Sequence, residues 1–224
     1  MAKSPADGEG RPRVRVVAVL AGLALVATGT VAVGAALHGQ SPPPRPPSAA
    51  GEGPIGVGTE RRDRPVRPAD SVDPGLPFSR PLRLSIPSID LVTRLEYLEL
   101  DDEGVMEVPV DPSWAGWFSP SPAPGVPGAS VIAGHVTWDR EPAVFFELGR
   151  LQRGDTIKVE RADGTVATFV VQRTGTFPKT GFPTRAVYRH IDYPGLRLIT
   201  CGGRYDYQTG NYDSNLIIWA RFVP

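Results

Sequence analysis

Thr165-Val166-Ala167-Thr168-Phe169-Val170-Val171 decides how the chain is read. β-Branched and apolar residues fill it, which suits a buried strand better than a helix, where branching at Cβ restricts the side chain. Ala162-Asp163-Gly164 stands just ahead of it and supplies a turn back to an apolar run at 156–160, the pattern of a β-hairpin. Working outward, short apolar runs recur at 82–86, 105–109, 130–133, 196–200 and 216–222, and the first run extends over 165–173. Only 143–151, with Phe145, Phe146, Leu148 and Leu151, reads as helical, and it is short. No internal repeat stands out. Residues 81–224 are therefore expected to form one all-β domain, a closed or nearly closed barrel.

The residues ahead of that domain divide into blocks of different composition. Residues 1–15 are polar and carry Lys3, Arg11, Arg13 and Arg15. Val16 to Leu37 holds no charged side chain, and about 22 residues at about 1.5 Å rise suffice to cross a hydrocarbon core. The arginines before this span, with no Lys or Arg just after it, place the N-terminus in the cytoplasm and the remainder outside. A cleaved signal peptide is the competing reading, but the span and the tail before it are long for one. Residues 38–80 are rich in Pro and Gly, from Pro42-Pro43-Pro44-Arg45-Pro46-Pro47 through Gly51 to Gly58, and read as a disordered linker. The formal net charge is +0, so no basic field points to nucleic acid.

The chain has one cysteine, Cys201, which rules out an internal disulfide and a Cys-rich zinc site. An unpaired thiol in an exported domain is open to oxidation, so chemistry is the reason to look for. Cys201 ends the run Leu196-Arg197-Leu198-Ile199-Thr200 and is followed by Gly202-Gly203, which let backbone approach a ligand and free amides to face an oxyanion. There are three histidines. His38 ends the apolar span and His190 falls in a loop. His135 follows Ser130-Val131-Ile132-Ala133-Gly134 at a strand end, where a loop can present it to a cleft. A Cys and a His far apart in sequence are a candidate nucleophile and base.

Ile132-Ala133-Gly134-His135-Val136-Thr137 and Leu198-Ile199-Thr200-Cys201-Gly202-Gly203 resemble the motifs of the sortase family, the second being similar to its TLxTC motif. Leu82-Arg83-Leu84-Ser85-Ile86-Pro87, Gly116-Trp117-Phe118, Pro124-Gly125-Val126-Pro127-Gly128, Gly154-Asp155 and Asn215-Leu216-Ile217-Ile218-Trp219-Ala220 support the resemblance, which is greatest to the class F group of high-GC Gram-positive bacteria. It implies an eight-stranded β-barrel and a cysteine transpeptidase. Such an enzyme cleaves an LPxTG-like sorting signal at Thr–Gly through a thioacyl intermediate and passes the acyl group to a cell-wall precursor amine. Secreted proteins with a C-terminal sorting signal are then the partners, and a membrane-anchored monomer that uses no cofactor or metal is expected.

The resemblance assigns Cys201 and His135 as catalytic. Where the family places an arginine, this chain reads Tyr212-Asp213-Ser214-Asn215-Leu216. Asn215, Arg204 and Thr200 are the candidates for stabilising the oxyanion or orienting substrate. Trp114, Trp117 and Trp138 are candidates for lining a groove. Asp101-Asp102-Glu103-Gly104 reads as an acidic turn rather than a calcium loop. Two other functions compete: a cysteine peptidase acting mainly as a hydrolase, and a catalytically weak sortase-like binding module. A purely structural wall protein would leave the contexts of Cys201 and His135 unexplained.

Overall fold

A computed structural model describes residues 42–46 and 75–224. The expected cytoplasmic tail, the apolar span 16–37 and most of the linker lie outside the described residues. Among the described residues no helix is long and apolar enough to cross a membrane.

Eight strands close into a barrel in the order β1 (Pro81–Ile86), β2 (Leu91–Leu98), β3 (Ala115–Phe118), β4 (Gly128–Gly134), β9 (Pro194–Asp206), β10 (Asn211–Val223), β8 (Val166–Pro178) and β7 (Thr156–Arg161). A small separate hairpin pairs β5 (Thr137–Trp138) with β6 (Glu141–Pro142). Strand pairs β2–β3 and β4–β9 are parallel and the rest antiparallel. The hairpin expected around Ala162-Asp163-Gly164 is β7–β8, with Gly164 at φ 81. Interior side chains alternate along each strand, as the period of two demands. Ile157, Val159, Ala167, Phe169, Val171, Leu196, Leu198, Ile218 and Ala220 fill the core. Each fully buried Leu, Ile or Phe contributes on the order of 1.5–3 kcal/mol.

A second, smaller cluster lies outside the barrel wall: Val131, Ile199, Ile217 and Trp219, covered by Val187 of the short helix α1 (Thr184–Tyr188). That cover explains why β4 is buried on both faces and reads as a continuous apolar run.

Several local expectations fail for identifiable reasons. Residues 105–109 form no strand beyond one bridge between Leu100 and Met106. Val105, Val108 and Val110 are exposed, with no neighbouring strand to cover them. The helix expected at 143–151 is a 3-10 turn, Phe146–Arg150. Strands β2 and β3 were missed because charged residues in one and glycine in the other mask the alternation. Asp101 forms the expected acidic turn, its Oδ1 accepting from the backbone N–H of Glu103 and Val105. Residues 75–80, assigned to the linker by composition, are tied to the barrel. The Leu76 N–H donates to Gly125 O (2.8 Å), and buried Arg161 donates to Pro77 O.

Candidate active site

Strand pairing brings three side chains into one row on the outer face. Cys201 on β9 stands opposite Asn215 on β10, and Asn215 stands opposite Phe177 on β8. Directly opposed residues share a face, so Asn215 is a lateral neighbour of the thiol. Cys201 lies within a 13-residue strand rather than at a strand end. The irregularity comes two residues later. Tyr205 pairs with Tyr212 and Gly202 with Ser214, leaving Gly203 and Arg204 opposite Asp213 alone, a β-bulge. Gly203 has φ 81, and a Cβ there would run into the Asp213 carboxylate. Only glycine suits both demands.

His135 follows β4 directly. Its Nε2 lies 2.8 Å from Pro109 O, and a carbonyl only accepts, so Nε2 carries hydrogen and Nδ1 is the nitrogen left for proton exchange. The Trp138 ring meets the imidazole edge-on at 4.9 Å between centroids, a second constraint on its orientation. His135 and Cys201 line one cavity of about 550 Å³, together with Trp138, Tyr205, Tyr207 and Tyr212. Cys201 also borders a larger cleft of about 1160 Å³, lined by Gly175, Phe177, Phe145 and the segment Pro43-Pro44-Arg45-Pro46. Burial pushes the Cys201 thiol above its usual pKa, and the positive charge of Lys179 pulls the other way. Sequence reasoning passed over Lys179, because only the β8–β10 register carries the turn after Phe177 to the thiol.

The remaining candidates separate. Thr200 is 3% exposed and donates from Oγ1 to Gly134 O (2.7 Å). Neighbours along a strand point to opposite faces, so Thr200 turns away from the substrate side and holds the end of β4 beside His135. Arg204 points outward with its side chain 86% exposed and its Nε 3.9 Å from Asp213 Oδ2. Of the three tryptophans only Trp138 lines the cavity shared by Cys201 and His135. Trp117 is 4% exposed in the core, and Trp114 lies under the Arg94 guanidinium. His190 is exposed in its loop, and His38 lies outside the described residues. Among the described residues no three His, Cys, Asp or Glu side chains gather as metal ligands.

Residues 84–223 match the sequence profile of the Sortase domain. The chain belongs to the sortase family. Sortases are cysteine transpeptidases, and the closed eight-stranded barrel is their fold. No curated protein sequence matches the chain. Among solved structures, a lid mutant of sortase A from Corynebacterium diphtheriae superposes with a TM-score of 0.50 at 19% identity, over 64% of this chain and 70% of that one. Sortase C-1 from Actinomyces oris gives 0.49 at 20% identity, over 63% and 73%. A sortase D5 transpeptidase from Clostridium perfringens gives 0.49 at 20% identity, over 65% and 79%. At such identities the likeness concerns the fold.

Proposed function

We propose that this sortase, of the class F kind, is anchored by the span 16–37 with its catalytic domain outside the cell, and joins secreted proteins to a cell-wall amine. In this reading Cys201 Sγ attacks the threonine carbonyl of an LPxTG-like signal. The resulting oxyanion takes a hydrogen bond from Asn215. As the Thr–Gly bond breaks, protonated His135 gives its proton to the departing glycine amine, and a thioester to Cys201 remains. An amine of the wall precursor then attacks the thioester and returns a proton to His135. The amide forms and the thiolate leaves. No cofactor or metal enters these steps, and the chain acts as a monomer.

The observation that supports this reading is that Cys201 and His135, 66 residues apart in sequence, line one cavity. A transpeptidase needs its amine to outcompete water at the thioester. The test incubates the full chain with a sorting-signal peptide and an amine acceptor, read by mass spectrometry. A peptide–amine product is expected, together with a covalent acyl adduct on wild-type protein that Cys201→Ala does not form. Hydrolysed peptide alone, with acceptor in excess, would identify a peptidase instead. Peptide retained without cleavage would identify a binding module.

A further inference from the structure

Two rows beyond Cys201, on the same outer face, the barrel wall carries a dense positive site. Trp219 on β10 stands opposite both Arg173 on β8 and Arg197 on β9. Between that row and the catalytic one lies the row Gly175, Ile217 and Ile199. Around Trp219 a pocket of about 540 Å³ is lined by five arginines, Arg173, Arg185, Arg189, Arg197 and Arg221. No carboxylate is among its described lining residues.

This site is built rather than incidental. Arg197 is 5% exposed, and its Nε has no hydrogen-bond partner. Its Nη1 donates to Leu196 O (3.0 Å), so the buried guanidinium is held in place and gives the pocket a fixed positive charge. Burial lowers the Arg197 pKa, Tyr193 opposes that, and the like charges of Arg173 and Arg189 add to the lowering. Glycine at 195 leaves room for Ile191 and the guanidinium, since a Cβ there would stand 2.6 Å from Ile191 Cδ1 and 3.1 Å from Nη1. Arg173 lies over the Trp219 ring at 3.5 Å and Arg221 over Tyr193 at 4.4 Å, so aromatic faces help hold the charges in place.

The pocket shares part of its lining with the catalytic cleft. Val187 of α1 covers the middle row, but along β8 Gln172 and Arg173 line both the pocket and the cleft that contains Cys201. From Phe177 to Arg173 is four residues of strand, about 13 Å, which four residues of extended peptide also span. Direction follows from the chemistry. His135 must protonate the leaving amine, and it follows β4, which flanks β9 on the side away from β10 and β8. The acyl part of the donor, its amino side, therefore runs toward the arginines.

We propose that the arginine pocket is a subsite for an acidic side chain, Asp or Glu, placed just ahead of the sorting motif, four residues before the threonine whose carbonyl Cys201 attacks. The assignment rests on the transpeptidase reading above for the direction of the donor. Arginine forks match carboxylates in two-point contact, and partial burial spares the pair from screening.

Fluorescent donor peptides with Glu, Gln or Lys at that position are titrated by anisotropy into the full chain carrying Cys201→Ala. The Glu peptide should bind about tenfold more tightly than the Gln peptide, and the Lys peptide more weakly than either. Adding Arg185→Gln and Arg189→Gln, both exposed positions, should shrink the preference to about twofold or less with Tm unchanged. Equal binding of Glu and Gln peptides, or a preference that survives the arginine changes, overturns the proposal. So does inorganic pyrophosphate that binds in an Arg185- and Arg189-dependent way while the peptides stay equal, which would assign the pocket to a phosphate ligand. Turnover by wild-type protein is followed separately. Its failure would count against the transpeptidase reading while the binding comparison still reports on the pocket.

Discussion

Asn215 occupies a position that a neutral amide fills differently from an arginine. It shares the thiol's row from the adjacent strand, and an amide is able to donate a hydrogen bond but carries no charge and has a shorter reach. Asn215→Ala is expected to lower turnover by roughly one hundred-fold, the scale for loss of one oxyanion donor, with circular dichroism unchanged. Arg204→Ala should change kcat little, because that side chain is directed to solvent and to Asp213. The reverse ranking would move the oxyanion role to the bulge. Positive charge near the thiol comes instead from Lys179. Burial holds the thiol above its usual pKa, so the thiolate appears only as pH rises past the range of a free thiol. Lys179 opposes that shift, so its removal raises the pKa further. Alkylation rate against pH should show a higher midpoint in Lys179→Ala than in wild type, and a lower one would refute the assignment.

At the scale of elements, the β9–β10 bulge and the end of β4 position the chemistry. Gly203 takes φ 81 where the two strands separate, and its missing Cβ leaves room for Asp213. Gly203→Ala should cost about 1–3 kcal/mol in strain and lower Tm by roughly 3–10 °C. Activity should fall more than stability explains, since the bulge begins beside Cys201. A variant of unchanged Tm and activity would show that the loop relaxes freely. β9 also carries three functions through its alternation. Leu196 and Leu198 fill the core, Thr200 ties the strand to Gly134 beside His135, and Arg197, Ile199 and Cys201 face outward along the groove. A register slip of one residue would exchange those faces and remove the site.

For the molecule as a whole, the segment 42–46 borders the cleft that contains Cys201, where Pro44 O sits so close to Gly149 that a Cβ there would collide with it. Deleting residues 42–46 should raise the rate at which a bulky maleimide reaches Cys201 by a few-fold while Tm stays constant, as expected when a cleft is occupied part of the time. An unchanged rate would mean that these prolines leave access to the thiol open. Much of this architecture was legible in the residues: the β-rich runs at 82–86, 156–160, 165–173 and 216–222, the lone thiol of Cys201 and the strand-end position of His135, because alternation, turn glycines and a lone thiol are local signals. Strands β2 and β3 were not, nor the exposed run at 105–109, because burial there depends on which strand lies alongside. Nor was the meeting of Cys201 with Asn215, the inward turn of Thr200, or the row of Arg173, Trp219 and Arg197. Each of these follows from pairing between strands distant in sequence, and it is closure of the barrel that sets that register and so decides which side chains share a face.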